Sequence, residues 1–268
     1  QNLYVLSSHS QLLCFTTKGK VFWLKVYEIP VASRTSKGRP LVNMLKLDDD
    51  ETVTQILPVD EFSEDKFIFM ATRNGVVKKT NLNLFHKKYK SGIKAIRLDD
   101  DDKLVGTVIT NGDNHILLSS YSGKLIRFHE SKVRPMGRTA RGVKGITLKD
   151  GMKVISLMIG DSSKTILCLS ENGFGKRTKL EDFPSYNRGG QGVIALKTSE
   201  RNGNMVSAIS VDEDDGIMLI SNKGTVIRTA ISQIPTLGRN TQGVKVITPK
   251  DEEKLIEGVR IPPEEEEE

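Results

Sequence analysis

Residues 115–159 read HILLSSYSGKLIRFHESKVRPMGRTARGVKGITLKDGMKVISLMI, and this stretch contains one complete copy of the unit from which the chain is built. It holds four short runs rich in Val, Ile and Leu: HILLSS, KLIRFHES, VKGITLK and KVISLMI. The runs partly alternate between apolar and polar residues and are bounded by Gly, Asp, Asn or Ser, which is typical of β-strands joined by turns. Four strands in about 50 residues predict one blade of a propeller-like protein.

The same pattern occurs five times along the chain. A glycine in the turn between the first two runs recurs about every 50 residues, at Gly19, Gly75, Gly123, Gly173 and Gly224. A second glycine, in the loop before the third run, recurs with the same period, at Gly38, Gly92, Gly142, Gly192 and Gly243. Tight turns favour glycine because positive φ costs it little. No convincing helical periodicity accompanies the repeats, which disfavours a helical solenoid.

The repeats also set the expected domain organisation. Residues 1–9 contain NLYVLSS, which occupies the place that KVISLMI holds before the next apolar run, so we interpret them as the remnant of a first blade. Five full repeats follow. We therefore predict one all-β, propeller-like domain over residues 1–263, with six blades of which the first is incomplete, and a separate acidic tail at residues 264–268.

The charge pattern favours a polyanionic partner. The 268 residues carry a formal net charge of +6 although the last five are all Glu, so the part before the tail is more basic still. No apolar run approaches the roughly 18 residues of a membrane span, and the start of the chain lacks a signal-peptide pattern. We expect a cytoplasmic protein with no membrane partner.

Cations recur at two places in the repeat, just after the first glycine and in the loop that leads to the second. Because equivalent positions of successive blades lie on equivalent parts of a propeller, the charges predict a stripe that could follow a phosphate backbone. Aromatic residues do not interleave with these cations in sequence, so a duplex is favoured over a single strand. The predicted DNA-binding residues are Arg34, Lys37, Arg39, Lys78, Lys79, Lys87, Lys88, Lys90, Lys124, Arg127, Arg134, Arg138, Arg141, Lys176, Arg177, Arg188, Arg228 and Arg239.

Catalysis and metal binding find little support in the sequence. Hydrolase, P-loop, zinc-protease and kinase motifs are missing, and the four histidines form no ligand pair. Cys14 and Cys168 lie five residues before a first turn glycine, where the other repeats have Met or Leu, so we expect buried, reduced thiols. We predict no catalytic residue, no metal site and no cofactor in this chain.

Several stretches closely resemble the C-terminal domain of the DNA gyrase A protein, and they follow its order over essentially the whole chain. They are KVYEIPVASRTSKGRPLVNML, FMATRNGVVKKT, SGKLIRFHESKVRPMGRTARGVKGI, GFGKRTKLEDFP, TSERNG and GRNTQGVKVI. The resemblance implies a six-bladed β-pinwheel whose blades exchange strands with their neighbours. It implies a domain that binds and bends duplex DNA without sequence preference, in a right-handed wrap around a basic perimeter that directs negative supercoiling.

The resemblance also implies partners and a location. The domain would work with the N-terminal part of the same gyrase A protein and with the gyrase B protein in an A2B2 type IIA topoisomerase, in the bacterial cytoplasm at the nucleoid. ATP and Mg²⁺ would be bound elsewhere in that enzyme.

The family's hallmark heptad, Q-R-R-G-G-K/R-G, has a partial counterpart in the YNRGGQG of residues 186–192. Four positions agree, at Arg188, Gly189, Gly190 and Gly192, whereas the leading Gln and two cations are replaced. A nucleotide-binding glycine loop would need a strand before it and a helix after it. We interpret this segment as a blade loop that could touch phosphate through Arg188, and we expect the true heptad to precede residue 1.

Three alternatives stay open at this point. The homologous C-terminal DNA-binding domain of topoisomerase IV would share the repeats. A protein-interaction propeller should show Gly-His and Trp-Asp pairs or double glycines in each blade, and a propeller enzyme needs carboxylates or histidines around its channel.

Overall fold

The computed structural model describes residues 4, 6–32, 38–250 and 252–263. These residues form nineteen β-strands and six short 3₁₀ turns, and contain no α-helix. The all-β prediction is therefore confirmed. The predicted remnant strand at residues 1–9 is not formed by its described part, since residues 4 and 6–9 lie in no strand and residues 8–9 form a turn. Residues 1–3 and 5 and the tail at 264–268 lie outside the described residues, and the single domain over residues 1–263 stays a prediction.

Repeats two to five each contribute four strands with distinct roles, and repeat one contributes three. The first strands are buried almost throughout and are β1 (Gln11–Thr16), β4 (Phe67–Thr72), β8 (His115–Ser120), β12 (Thr165–Ser170) and β16 (Gly216–Ser221). The second strands carry the recurrent cations and are β2 (Lys20–Lys25), β5 (Val76–Asn81), β9 (Lys124–His129), β13 (Phe174–Lys179) and β17 (Val226–Ala230).

The remaining strands complete the sheets. The last strand of each repeat is long, and these strands are β3 (Val53–Val59), β7 (Leu104–Thr110), β11 (Val154–Ile159), β15 (Met205–Val211) and β19 (Leu255–Ile261). Four strands of two residues follow the second glycines and are β6 (Ile93–Lys94), β10 (Val143–Lys144), β14 (Val193–Ile194) and β18 (Val244–Lys245).

The two-residue strands pair with the sheet of the preceding repeat. The sheet orders are β3-β1-β2-β6, β7-β4-β5-β10, β11-β8-β9-β14, β15-β12-β13-β18 and β19-β16-β17, all antiparallel, and we number these sheets one to five. Val143 pairs with Val77, and Val193 pairs with Leu125 in the same register. The strand exchange that the family resemblance implies is thus present.

The first repeat departs from the pattern at its second glycine. Gly38 keeps the period of the series, but its φ is not in the positive range and an added Cβ would meet nothing within 4 Å. A 3₁₀ turn, Leu41–Asn43, follows it instead of a two-residue strand. In the described chain, sheet five has three strands, and β17 carries exposed Val226 and Ile227.

The described residues group into two compact units. One contains residues 4–113 and 133–144 and therefore sheets one and two; the other contains 114–132 and the described residues from 145 onward, with sheets three to five. In the first unit, Phe15 and Phe85 meet edge to face at the centre of a cluster that also includes Ile68 and Leu104. In the second unit, Ile166, Cys168 and Phe183 form a comparable cluster. Burial of these apolar side chains is the main force that holds the sheets of each unit together.

Candidate nucleic-acid interface

The loops that end in the second glycine are held against the preceding sheet at two points. Met136 donates its backbone N–H to the carbonyl of Lys79 at 2.7 Å, and Tyr186 and Leu237 make the same bond to Arg127 and Arg177 at 2.8 Å. The two-residue strand then fixes the far end of each loop. The loops of repeats three, four and five are therefore anchored on both sides of their exposed segments.

Glycine is required where the loop enters the short strand. Gly142 has φ +100°, and an added Cβ would lie 2.4 Å from the carbonyl oxygen of Val77. Gly192 has φ +71° and would place a Cβ 2.4 Å from the carbonyl oxygen of Leu125. Positive φ and close backbone approach together exclude any other residue without strain, which explains the period of this glycine series.

The predicted DNA-binding residues divide into four groups by exposure. Exposed side chains belong to Arg39, Lys87, Lys88, Lys90, Arg134, Arg141 and Arg228. Half-buried side chains belong to Lys124, Arg127, Arg138, Arg188 and Arg239. Arg34 and Lys37 lie outside the described residues. Buried side chains belong to Lys78, Lys79, Lys176 and Arg177.

The assignment of the buried four as phosphate contacts is wrong for the side chains as the structure holds them. Lys78 and Lys176 are fully buried, Lys79 is 4% exposed and Arg177 is 6% exposed. The recurrence of cations on the second strand suggested one shared role, but β5 and β13 are covered by the loop of the following repeat. A phosphate outside the protein cannot reach these groups.

The ammonium groups of Lys78 and Lys176 instead hold the loops from inside. Lys78 Nζ donates to the carbonyls of Ala95 at 2.5 Å, Gly137 at 2.9 Å and Arg138 at 2.6 Å. Burial, and next the nearby Arg138 guanidinium, lower the pKa of Lys78 to about 7. The buried cation thereby supplies a donor to three backbone carbonyls, of which that of Gly137 also accepts the N–H of Ala140 at 3.2 Å.

Lys176 repeats this arrangement in the second unit. Its Nζ donates to the carbonyls of Gly238 at 2.7 Å and Arg239 at 2.5 Å, and to Thr241 Oγ1 at 3.0 Å. Burial is the main cause that lowers the pKa of Lys176 to about 8. The sequence signal was available: both lysines stand three residues after a first turn glycine, where repeats one, three and five have Phe22, Ile126 and Ile227.

The residues one position further on hold the 3₁₀ turn of the following repeat. Arg127 Nη1 donates to the carbonyls of Leu180 and Phe183, both at 3.2 Å. Arg177 Nε donates to the carbonyl of Ile234 at 2.6 Å, and its guanidinium forms an ion pair with Glu213. Both arginines therefore act in repeat-to-repeat packing, which the sequence pattern did not predict.

The loop at residues 187–192 is held by hydrogen bonds to residues 145 and 147 of the preceding repeat. Gly189 donates its N–H to Gly145 at 2.7 Å, while Thr147 donates its N–H to Gly190 at 2.9 Å and its hydroxyl to Gly189 at 2.6 Å. Arg188 Nε donates to the carbonyl of Lys132 at 2.9 Å. The short strand β14 follows the glycines, so the strand-loop-helix arrangement of a nucleotide site is not formed.

The cysteines behave as predicted. Cys14 and Cys168 are both buried and unpaired, and burial raises the pKa of each thiol to about 12. Among the described residues, no group of three or more His, Cys, Asp or Glu side chains is placed to hold a metal ion. A search of the same residues finds no helix long and apolar enough to cross a membrane.

The architecture defines the class of the molecule: an all-β repeat protein of the propeller type, in which repeats two to five each lend a two-residue strand to the sheet before them. Comparison with known families gives the particular assignment. Five segments, 10–60, 66–111, 114–161, 164–212 and 217–260, match the model described as "DNA gyrase C-terminal domain, beta-propeller". The chain belongs to this family.

Curated relatives and solved structures agree with the assignment. The DNA gyrase A protein of Salmonella typhimurium is 46% identical over 254 residues, and that of Pseudomonas aeruginosa is 43% identical over 299 residues. These matches cover 95% and 96% of this chain, which spans only 29% and 32% of those relatives.

Two solved domains have the same fold. A DNA gyrase A C-terminal domain superimposes with a TM-score of 0.80 at 25% identity, covering 96% of this chain and 84% of that one. A C-terminal domain of DNA topoisomerase IV gives a TM-score of 0.87 at 27% identity, covering 94% and 79%.

Proposed function

We propose that this domain binds double-stranded DNA without sequence preference, through the exposed cations of its glycine-ended loops, and bends the duplex into a right-handed wrap. The observation that carries the proposal is that loops of successive repeats, each followed by a two-residue strand paired with the preceding sheet, present cations to solvent. Lys87, Lys88 and Lys90 lie on one such loop, and Arg134 and Arg141 lie on the next. Cations on rigid loops bind phosphates without the ordering cost of flexible ones.

Phosphate contacts rather than base contacts suit this surface. The described residues include no α-helix of the kind that enters a major groove to read base edges. Lys and Arg on loops neutralise phosphates whatever the sequence, and the energy of bending then supplies most of the discrimination among sequences.

In the larger protein this wrap would present a neighbouring DNA segment for passage and so give DNA gyrase its negative-supercoiling direction. The partners would be the N-terminal part of the same gyrase A protein and the gyrase B protein in an A2B2 assembly, in the bacterial cytoplasm. The domain would supply no catalytic residue and bind no cofactor, with ATP and Mg²⁺ used elsewhere in the enzyme. The curated gyrase A relatives support this placement.

Charge reversal tests the interface. The double variant Arg138→Glu/Arg141→Glu should weaken duplex binding and lower the slope of log K against log salt by about two, with little change in sequence preference. The matched control is Lys149→Glu/Lys250→Glu, which makes the same charge change at exposed turn positions outside these loops. Equal losses in the two variants would show a general charge effect and contradict the loop assignment.

A DNA topology assay tests the wrap. Plasmid is relaxed with the domain bound and then deproteinised, and a right-handed wrap should leave a positive linking difference. The solved topoisomerase IV domain supports a second candidate, the homologous DNA-binding domain of that enzyme. Duplex binding with no trapped linking difference would favour that second candidate.

A further inference from the structure

Sheet one carries aromatic side chains where sheets two and four carry cations. Three and four residues after Gly19 stand Phe22 and Trp23, at the positions that Lys78 and Lys79 occupy in the second repeat. Trp23 Nε1 donates to the carbonyl of Phe85 at 2.8 Å, so the indole keeps one orientation. Both cations are thus replaced by aromatic rings, and the ring at the position of Lys79 is fixed by this hydrogen bond.

An open cleft of about 470 Å³ lies beside this ring. Its volume is within the roughly 300–1,000 Å³ typical of small-molecule sites. Tyr89, on the next repeat's loop, lines the same cleft with its ring centroid 6.0 Å from that of Trp23 and the planes tilted by 52°. Tyr89 is 43% exposed, so a flat group can reach its ring from solvent.

The cleft has an excess of positive charge. Lys25, Lys46, Lys88 and Lys90 line it, and among its lining residues Glu28 carries the one carboxylate. That carboxylate already accepts the backbone N–H of Lys25 at 3.0 Å. Burial, and next the neighbouring Lys25 ammonium, lower the pKa of Lys88. Two facing ammonium groups repel each other, and a bound anion would relieve that repulsion.

We propose that this cleft binds an unpaired nucleotide of a nucleic-acid strand, with the base stacked on Tyr89 beside Trp23 and the flanking phosphates held by the four lysines. An aromatic ring next to cations is the combination by which single strands are bound without sequence preference. A phosphate alone would leave the rings unused, and an acidic peptide offers no flat ring to stack. The proposal extends the proposed function from duplex to unpaired DNA and requires no wrapping.

The sequence pattern did not predict this site. Trp23 and Tyr89 are 66 positions apart in the chain, and the lysines come from three separate segments. Aromatics and cations that are not interleaved in sequence are brought together because β6 pairs with β2 and places the loop of the second repeat beside the first sheet.

Trp23 provides the probe, because it is the only tryptophan of the chain. Titration with a hexathymidine oligonucleotide should give a saturable change in its fluorescence, which weakens at high salt. Base–aromatic stacking contributes about 1–3 kcal/mol per base, so Tyr89→Ala should weaken oligonucleotide binding by roughly 5- to 150-fold, and Tyr89→Phe should retain it. The matched control is Tyr186→Ala, which removes a ring that is 49% exposed on another loop.

Competing ligands decide the assignment. Inorganic phosphate, a duplex of equal length and a polyglutamate peptide should each change the fluorescence less than the oligonucleotide at equal concentration. An equal response to any of these, or unchanged oligonucleotide affinity of Tyr89→Ala, would overturn the proposal.

Duplex affinity is measured on the same samples, and Tyr89→Ala should leave it within about twofold, since phosphate contacts carry duplex binding. Loss of duplex binding in the Arg138→Glu/Arg141→Glu variant, with the fluorescence response intact, distinguishes this site from the third-repeat loop of the proposed duplex interface, with which the cleft shares no residue.

Discussion

The ammonium group of Lys78 lies 2.6 Å from the carbonyl oxygen of Arg138, so a buried cation holds the backbone of a loop whose next arginine, Arg141, is exposed. The same relationship joins Lys176 and Arg239 at 2.5 Å. Positive charge in these repeats therefore has two roles, one inside the loop and one outside it. The two roles make different predictions for substitution.

Substitution of Lys78 by Met should destabilise the domain. The change removes a donor from the carbonyls of Ala95, Gly137 and Arg138, of which only that of Gly137 keeps a backbone bond in the described chain, from Ala140. Buried acceptors without a donor cost about 1–3 kcal/mol. We expect the free energy of unfolding, measured by urea denaturation, to fall by about that amount. Ile126→Met at the equivalent position of the third repeat is the control and should cost less than about 1.5 kcal/mol. An equal loss in both variants would mean that the hydrogen bonds of Lys78 contribute nothing.

Stability should rise with pH above neutrality. The pKa of Lys78 is lowered to about 7 and that of Lys176 to about 8, against a usual value of 10.5. Between those values and 10.5 the unfolded chain binds more protons than the folded chain, so stability increases as pH rises through this window. The charged groups that act on these lysines are Arg138 for Lys78, and Arg239 and Asp182 for Lys176. The Cys168 thiol beside Lys176 stays protonated in this window, because burial raises its pKa to about 12.

The pH effect is measured as the difference from a Lys78→Met/Lys176→Met variant. Urea denaturation at about pH 6.5, 8 and 9.5 should show the wild-type protein gaining stability relative to the variant at each step. A constant difference would mean that neither lysine titrates in this window.

Gly142→Ala should be strongly destabilising. Its φ of +100° is strained for alanine, and the new Cβ would approach the Val77 carbonyl oxygen to 2.4 Å. Such backbone strain costs about 1–3 kcal/mol before any clash is counted. Gly137→Ala, in the same loop, is the control because nothing lies within 4 Å of the added methyl group and its φ is not positive. Thermal unfolding should separate the two variants clearly, and similar Tm values would contradict the assigned role of Gly142.

Arg177→Met should cost more than loss of its acidic partner. The guanidinium donates to the Ile234 carbonyl in a buried setting, whereas Glu213 has a side chain that is 63% exposed. Hydrogen bonds from charged groups contribute about 1.5–3 kcal/mol, and exposed ion pairs contribute about 0–1 kcal/mol. Urea denaturation of Arg177→Met and Glu213→Gln should therefore give the larger loss for the arginine. The reverse order would place the stabilisation in the ion pair.

Duplex binding should fall steeply with salt. If about six phosphates are engaged, affinity should drop on the order of a thousandfold between about 50 and 200 mM salt. Fluorescence anisotropy of a labelled duplex measures this slope. The Lys78→Met variant should keep nearly the same slope, because the ammonium group of Lys78 is buried in the wild-type protein and therefore displaces no counterion from DNA. A flat response in the wild-type protein would exclude phosphate-based binding.

The repeats could be predicted from sequence because their signals are local. Gly123, between HILLSS and KLIRFHES, marks a tight turn by its own conformational preference, and the flanking apolar runs mark strands. The partner of a two-residue strand is not a local property. Val143 and Lys144 were assigned correctly as β-structure, but only the fold shows them in the sheet of the second repeat. For Gly38 the sequence pattern misleads, because this glycine keeps the period of about 50 residues but does not adopt the positive φ of Gly142 and Gly192.

By itself the sequence determined the all-β class, the five repeats, the family and the basic character of the loops. Turn glycines, apolar runs and charge are properties of single residues or short segments, so they can be read without the fold. The tertiary structure alone decided which cations face solvent. Lys78 and Lys87 look alike in sequence, but Lys78 is covered by the loop of the next repeat, whereas Lys87 is exposed on such a loop. The tertiary structure also brought Trp23 and Tyr89 into one lysine-lined cleft. Exposure and proximity depend on contacts between neighbouring repeats, whose residues are far apart in sequence, and those contacts exist only after strand exchange has joined the sheets.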